Sequence, residues 1–259
     1  MSAPLDESDV RLLVRLLGEV AAFDSDHAGK KRFLMNGLCT LIEGDAWVWA
    51  LMCQPGNGQP QVYVNLVHGG FDDTRFAKLL QALEHPEMSW VARAFFAELE
   101  RKGTQITRTR QQIVDDETFL KTDAAKAWRA ADIGPVLMST RPLGNGAGSS
   151  IAIYRSSGAA HFSERESRMA HIVLTEVPWL HELGWPDDRG ATVPKLYPQQ
   201  RIVLNLLLEG RDRKTIADRL GISIHTVSGY CKEIYRHFNV NSQAILMARF
   251  YKGNGDDSP

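Results

Sequence analysis

The stretch that decides the architecture is residues 196–240, which read LYPQQRIVLNLLLEGRDRKTIADRLGISIHTVSGYCKEIYRHFNV. Pro198 stands where a helix can begin, because the N–H that proline lacks would have no partner in the first turn. Apolar residues then recur at helical spacing until Gly210, which ends this helix. A second, short helix is predicted from about Arg213 to Leu220, with Asp212 as its N-cap.

A third helix is predicted between its cap, Ser223, and Phe238. Gly221 before it suits the positive φ of a tight turn between two helices. The apolar residues of the third helix step by four, three and four positions and mark one buried stripe: Val227, Cys231, Ile234 and Phe238. The opposite face is polar and basic. Two short helices joined by a glycine turn, the second of them amphipathic, are typical of a helix-turn-helix whose second helix enters the major groove.

Charge separates this end of the chain from the rest. From Lys195 to Lys252 there are ten Lys or Arg and four Asp or Glu, a net charge of +6, whereas residues 1–194 carry −5 and the whole chain −1. A compact basic end on a near-neutral chain is typical of a module that binds a polyanion. On periodicity and charge alone, a four-helix interaction domain with a solvated basic face is the alternative.

The same stretch resembles the LuxR-type (GerE-like) helix-turn-helix family. That family's pattern runs through Leu-Thr-Pro, a Gly followed by Lys-x-Ile-Ala, then Leu-Gly-Ile-Ser and Thr-Val-x-x-His, to a hydrophobic-Gly-Val end. The matching residues are Leu196, Pro198, Val203, Leu204, Gly210, Lys214, Ile216, Ala217, Leu220, Gly221, Ile222, Ser223, Thr226, Val227, Ile234 and Val240. The resemblance implies a sequence-specific transcriptional regulator, not an enzyme, that binds double-stranded DNA in the major groove as a homodimer on two half-sites.

Several positions depart from the family pattern. Ser228 stands where the family often has a DNA-contacting Lys, Tyr230 where it has His, Gln200 where it has an acid, and Asn239 where it has Gly. Asn tolerates left-handed backbone, so the last change is mild. The residues assigned to base edges are Ser228, Gly229 and Lys232. The residues assigned to phosphates, which position the module without reading sequence, are Lys214, Thr226, Tyr230 and Arg236.

The segment before the module predicts an antiparallel sheet. Strands are predicted at 46–53 and 61–68 around the turn QPGNGQP, and at 135–142 and 149–155 around GNGAG. The first strand is apolar on both faces, which indicates that it is covered on both sides.

Helical patterns surround these strand pairs. Two precede the first pair, and further ones are predicted at 74–84, 90–101 and 116–131. Ser163 and Glu166 form a capping box that begins a last helix, with a kink expected at Pro178. This order of elements resembles a GAF- or PAS-like sensor domain, and the fold class is therefore α+β, followed by an all-α helix-turn-helix domain. Such a sensor would take a small-molecule effector.

The Gly-, Pro- and Asp-rich segment LGWPDDRGATVP at 183–194 predicts a boundary between two domains. The predicted layout is a sensor domain over 1–183, a linker over 184–194, a DNA-binding domain over 195–252 and a disordered tail over 253–259.

Two alternatives concern the sensor. An acyl-homoserine-lactone sensor has a similar architecture, but the Asp-Pro of its Trp, Tyr, Asp-Pro pattern is missing here. A constitutive regulator would instead keep the domain only for dimerisation. If a ligand binds, the pocket candidates are Trp47, Trp49 and Tyr63, although core packing is the ordinary role of such indoles. A phosphorylated receiver domain is excluded, since no acidic pair follows a first strand in a β/α alternation.

Other chemistry has little support in the sequence. Cys39 and Cys53 could form a redox pair in a competing enzyme or redox class, but buried inert thiols are the commoner case. No histidine spacing indicates a metal, and no motif indicates a cofactor. The acidic N-terminus lacks the basic region of a signal peptide and no apolar run approaches the ~20 residues of a membrane span. A cytoplasmic protein without membrane contact is expected.

Overall fold

The computed structural model describes residues 4–53, 62–83, 85–144, 147–183 and 198–252. They divide into two compact units, one built from most of residues 4–183 and the other containing residues 198–252. The predicted linker at 184–194 and tail at 253–259 lie outside the described residues, as do the centres of the two predicted hairpin turns.

A five-stranded antiparallel sheet forms the centre of the N-terminal part. Its strands are β1 (Ala46–Cys53), β2 (Val62–Gly69), β3 (Ile106–Thr109), β4 (Val136–Gly144) and β5 (Ala147–Tyr154), in the spatial order β2-β1-β5-β4-β3. β1 lies inside the sheet. Its Trp47 and Trp49 are buried on one face, and Val48 and Ala50 on the other. The prediction of a strand covered on both sides is confirmed.

The edge strand β3 is an element that the sequence pattern misses. It pairs antiparallel with β4, from Ile106 opposite Thr140 to Thr109 opposite Leu137. Four residues, ITRT, carry too little alternation to be distinguished from a loop. The pairing is reinforced by the hydroxyl of Thr107, which donates to Ser139 Oγ at 2.9 Å.

Ten helices precede residue 198 in the described part of the chain. They are α1 (Glu7–Ala22), α2 (His27–Leu41), α3 (Asp73–Leu83), α4 (Met88–Val91), α5 (Arg93–Lys102), α6 (Arg110–Ile113), α7 (Asp116–Phe119), α8 (Asp123–Ala130), α9 (Glu164–Thr175) and α10 (Pro178–Glu182). On one face of the sheet, Leu79 of α3 and Trp128 of α8 join the buried cluster around Val48. α2 and α10 lie against the other face, where Trp49 is 5.1 Å from the ring of His181.

Two helical predictions are wrong in detail. The pattern over 116–131 is two helices, because the hydroxyl of Thr122 caps the second one by accepting from Ala125 N at 3.0 Å. The last helix does not kink at Pro178. It ends at Thr175, and Pro178 begins a new helix at the position where proline is tolerated best.

The second unit contains α11 (Pro198–Leu208), α12 (Arg213–Leu220), α13 (Ile224–His237) and α14 (Gln243–Lys252). Its core consists of fully or almost fully buried side chains: Ile202, Val203, Leu206, Leu207, Ile216, Ala217, Leu220, Val227, Cys231, Ile234 and Leu246. α14 is held to the end of α11 by Gln243, whose amide donates to the carbonyl oxygens of Leu207 (2.8 Å) and Arg211 (2.9 Å). The three helices predicted above are present, and α14 follows them.

Candidate nucleic-acid interface

The turn between α12 and α13 follows from local chemistry. Asp212 caps α12 by accepting from Thr215 N at 2.9 Å. Gly221 ends that helix with φ of 63°, a left-handed conformation that favours glycine. Ile222 N then donates back to Ala217 O at 3.1 Å, so the chain reverses within three residues. These contacts fix where α13 begins.

The N-terminus of α13 has the features of a helix end that can bind an anion. Ser223 caps it by accepting from Thr226 N at 3.0 Å. No acidic side chain lies in its first turn, and Arg236 and His237 lie in its last turn. A helix N-terminus carries a partial positive charge, and without a nearby carboxylate that charge is available to a phosphate.

One face of α13 is buried and the opposite face is open to water. The side chains of Val227, Cys231 and Ile234 have no exposed surface and pack where α13 contacts α11 and α12. The predicted stripe is confirmed for these three residues, while Phe238 is only half-buried. The exposed residues of the opposite face include His225, Thr226, Gly229, Lys232, Glu233 and Arg236.

Glu233 is the one acidic residue of α13; it is itself exposed, and its carboxylate accepts a hydrogen bond from α11. Gln200 of α11 donates its side-chain amide to Glu233 Oε2 at 2.5 Å. Both residues lie in the same unit, so this contact ties the third helix to the first. Gln200, which departs from the family pattern, is thus hydrogen-bonded directly to the third helix.

Several exposed basic side chains of this unit differ in whether they have an acidic partner. Arg219 and Arg211 lie 3.4 Å and 3.6 Å from the same carboxylate, that of Glu209. By contrast, Lys214, Lys232 and Arg236 form no ion pair with any residue that the structure describes, and all three are exposed. Cations without an internal partner are the ones available to phosphates.

The structure places the residues assigned to DNA contact on two adjoining helices. Lys214 lies in the first turn of α12, and the other six lie on α13. Ser228 and Tyr230 are half-buried at the margin of the open face. A Cβ built on Gly229 would meet nothing within 4 Å, so the backbone there is accessible from outside.

One exposed residue of this surface was missed in the assignment from sequence. Ile224 is the first residue of α13, and 54% of its surface is exposed. Its apolar side chain suggests a core position when read by composition. The signal that could have found it is the cap at Ser223, which fixes position 224 as the first helical residue.

The three pocket candidates of the N-terminal domain do not share one environment. Trp47 is 2% exposed and donates its indole N–H to Asn36 Oδ1 at 3.0 Å. Trp49 is fully buried and donates to Ser149 Oγ at 2.7 Å. Tyr63 is 42% exposed. Both indole donors are therefore satisfied by protein acceptors, as core residues require.

Ser149, which accepts from Trp49, also lies within hydrogen-bond distance of the buried His181. The ring of His181 donates from Nε2 to Leu174 O at 2.8 Å, and its Nδ1 lies 2.8 Å from Ser149 Oγ. Because Nε2 donates, the neutral ring accepts at Nδ1 from the serine hydroxyl. Burial lowers the pKa of His181 to about 3. Trp49, Ser149 and His181 thus form a chain of hydrogen bonds in the core in which every group is neutral.

Cys39, half of the proposed redox pair, is buried. Burial, together with the nearby charge of Asp45, raises the pKa of its thiol to about 12. Since the thiolate is the reactive form, this environment disfavours redox chemistry at Cys39. The side chain of Cys53 lies outside what the structure describes.

Two further properties concern the described residues only. None of their helices has both the length and the apolar character that crossing a bilayer demands. Among the same residues, no three His, Cys, Asp or Glu side chains gather as a set of metal ligands.

Comparison with known proteins gives one family match. Residues 195–249 match the model described as bacterial regulatory proteins of the luxR family. A comparison of the sequence with curated proteins gave no match.

Solved structures give similarities at low sequence identity. Escherichia coli SdiA aligns over 92% of this chain and 95% of its own, with 13% identity and a TM-score of 0.38. SdiA in complex with octanoyl-rac-glycerol aligns over 94% and 95%, with 13% identity and a TM-score of 0.42. The VqsR LBD domain from Pseudomonas aeruginosa aligns over 68% and 97%, with 12% identity and a TM-score of 0.45.

Proposed function

Residues 195–249 of this chain form a DNA-binding domain of the LuxR family of bacterial regulatory proteins, and we propose that the whole chain is a homodimeric, sequence-specific transcriptional regulator. A regulator domain of this family points to a non-enzymatic transcription factor. The proposed layout is a sensor domain over 1–183 and a DNA-binding domain over 195–252.

The observation that carries the proposal is the open face of α13. Its buried stripe leaves the opposite side exposed, and that side, with the start of α12, includes exposed cations that form no ion pair with any described residue, among them Lys214, Lys232 and Arg236. A face of this kind fits between the phosphate strands of a major groove about 12 Å wide. The capped N-terminus of α13 adds a partial positive charge on the same surface.

Within this face the residues divide by reach and chemistry. The residues proposed for base edges are Ser228, Gly229 and Lys232, since the open backbone at 229 permits close approach. The residues proposed for phosphates are Lys214, Thr226, Tyr230 and Arg236. The phosphate contacts determine affinity and register, and the base contacts determine which DNA sequence is preferred.

A mobility-shift experiment with two variants tests this division. Lys232→Ala is expected to weaken binding to a selected operator much more than binding to random DNA, because it removes a base contact. Arg236→Ala is expected to weaken both by a similar factor, because it removes a phosphate contact. Equal losses for Lys232→Ala on both DNAs would contradict the base-reading role of Lys232.

One groove of the N-terminal domain supports the proposal of an effector. A groove of about 590 Å³ is lined by Trp90, Val91, Arg93, Ala94, Ala97, Ile113 and Val114. Its volume lies in the usual range for small-molecule sites, and its lining is mostly apolar. One of these residues, Val91, belongs to the buried cluster that contains Trp128, and Trp90 and Val114 pack against that cluster. The indole N–H of Trp128 is buried and has no hydrogen-bond partner among the described residues. The mostly apolar lining supports a small, mostly apolar effector.

Thermal unfolding with a panel of compounds distinguishes the three versions of the sensor. The panel contains N-acyl homoserine lactones, acylglycerols and fatty acids, and a binder raises the midpoint by mass action. If no compound raises the midpoint while DNA binding is intact, the constitutive dimer is supported. Sedimentation of the full chain measures whether it is a dimer.

A further inference from the structure

Ile224 is the one large apolar side chain among the exposed residues of α13. It is the first residue of the helix and is 54% exposed. Its position is fixed by Ser223, which caps the helix with extended backbone (φ −70°, ψ 148°) and accepts from Thr226 N at 3.0 Å. His225 and Thr226, which follow it, are exposed as well. The side chain of Ile224 is therefore an apolar group at the N-terminus of α13, next to polar residues.

The direction of this side chain follows from helix geometry. Each Cα–Cβ bond in an α-helix is tilted toward the N-terminus, so the side chain of the first residue extends ahead of the helix end. In helix-turn-helix proteins the N-terminal residues of the second helix are the ones that contact base edges. Ile224 is thus placed where a side chain enters the groove first.

An isoleucine neither donates nor accepts a hydrogen bond, which restricts what it can recognise. The floor of the major groove presents donors and acceptors at every base pair, and one apolar group, the C5-methyl of thymine. We propose that Ile224 contacts a thymine methyl and so makes thymine the preferred base at one position of each half-site. This inference rests on the proposed DNA-binding function and adds a specificity residue to it.

Isolated exposed apolar residues are common on protein surfaces, so exposure alone does not indicate that Ile224 contacts DNA. The proposal depends on the position of Ile224 at the N-terminus of α13. The same domain supplies a matched control, Ile245, which is 49% exposed on α14 and lies outside the helix-turn-helix pair. Ile224→Ala and Ile245→Ala remove the same atoms from similar exposure. Neither leaves a cavity, and alanine has the higher helix propensity.

The test begins with the full chain and a pool of random double-stranded DNA. Sites bound by the wild-type protein are selected, and each thymine of the selected site is then replaced singly by deoxyuridine, which removes only the methyl group. We expect the wild type to lose about fourfold in affinity at one thymine of a half-site, the value for burying one methyl-sized group. Replacing the symmetric thymine as well gives roughly fifteenfold.

The variants complete the test. Ile224→Ala is expected to bind the thymine and deoxyuridine sites equally at that position, while Ile245→Ala keeps the wild-type ratio. The inference is overturned if the wild type binds a selected site but no deoxyuridine replacement weakens it, or if Ile224→Ala keeps the wild-type ratio. Failure of the underlying function is a different result, in which no sequence is enriched from the pool and no salt-dependent binding occurs.

Discussion

Arg155 and Glu166 form a buried ion pair that closes the end of β5 against the start of α9. Arg155 Nη2 lies 2.5 Å from Glu166 Oε1, with 5% and 14% of the two side chains exposed. Glu166 also accepts from Ser163 N at 2.7 Å, in the capping box that begins α9. The remaining N–H groups of Arg155 reach backbone carbonyl oxygens, including that of Ile42 after α2. One guanidinium therefore joins a strand end to two helices.

Removing the carboxylate of this pair is expected to destabilise the N-terminal domain strongly. Glu166→Ala leaves Arg155 charged and buried without its anion and removes half of the capping box, a loss of about 3 kcal/mol in the free energy of unfolding. Urea denaturation followed by circular dichroism measures it. The control is Glu117→Ala, which breaks the pair with Lys121 between side chains that are 85% and 71% exposed. No measurable change is expected there. Similar losses for the two variants would contradict the role of burial.

The lowered pKa of His181 predicts how the free energy of unfolding depends on pH. Its folded pKa is about 3, because burial disfavours the charged ring, and the unfolded value is about 6.5. Between these values the unfolded chain binds a proton that the folded chain does not. Stability is thus complete above about pH 6.5 and falls as the pH decreases toward 3, by roughly 2 kcal/mol between pH 7 and 5.

Urea denaturation at several pH values tests the histidine. His181→Gln is expected to give a flatter profile than the wild type between pH 7 and 5. The control, exposed His225→Gln, is expected to leave the profile unchanged. An identical slope in wild type and His181→Gln means that another group sets the pH dependence.

The two cations proposed to contact phosphates predict a salt dependence. If Lys214 and Arg236 of both subunits each neutralise a phosphate, log K falls against log salt with a slope of about −4. Arg236→Ala is expected to make the slope less steep by about 2 for the homodimer. The control is Arg219→Ala, since Arg219 already lies 3.4 Å from Glu209. Fluorescence anisotropy over a salt series gives the slopes, and a slope unaffected by Arg236→Ala excludes a phosphate contact there.

Asn239 follows α13 with a left-handed backbone, φ 50°. Asparagine tolerates this conformation and glycine adopts it without steric cost. Asn239→Gly is expected to raise stability by roughly 0.5 kcal/mol and Asn239→Val to lower it by about 1–2 kcal/mol. Thermal unfolding of the two variants measures both signs. A stable Asn239→Val variant would indicate that the backbone there is not left-handed.

Cys39 is expected to be inert in the folded protein. Because burial and the charge of Asp45 raise its thiol pKa to about 12, little thiolate exists at pH 8. Iodoacetamide is therefore expected to label Cys39 slowly in buffer and rapidly in urea, as measured by peptide mass spectrometry. Equal rates in the two conditions would restore the redox hypothesis.

The helix-turn-helix pair was predictable because its signals are local. Asp212, Gly221 and Ser223 set the helix ends through bonds to neighbours within four residues. The stripe of Val227, Cys231 and Ile234 follows from helical periodicity alone. The edge strand β3 was missed for the opposite reason. Its four residues pair with β4 about thirty positions later, so nothing within the segment marks it as a strand.

The candidate site shows the same division between local and distant information. Sequence identified which residues lie on the open face, because one helix period separates that face from the buried stripe. It did not identify which cations are unpaired, since that depends on Glu209 being near Arg219 and Arg211. Ile224 was missed because an isoleucine read by composition belongs to the core, whereas its place at the helix tip exposes it.

The sequence by itself determined the helix ends, the turn and the basic character of the DNA-binding domain, because caps, glycines and periodicity act over a few residues. Only the tertiary structure decided that the indoles of Trp47 and Trp49 bind Asn36 and Ser149. It also decided that Glu233 faces Gln200. Such pairings join residues separated by up to a hundred positions, and which of them form depends on how the elements pack.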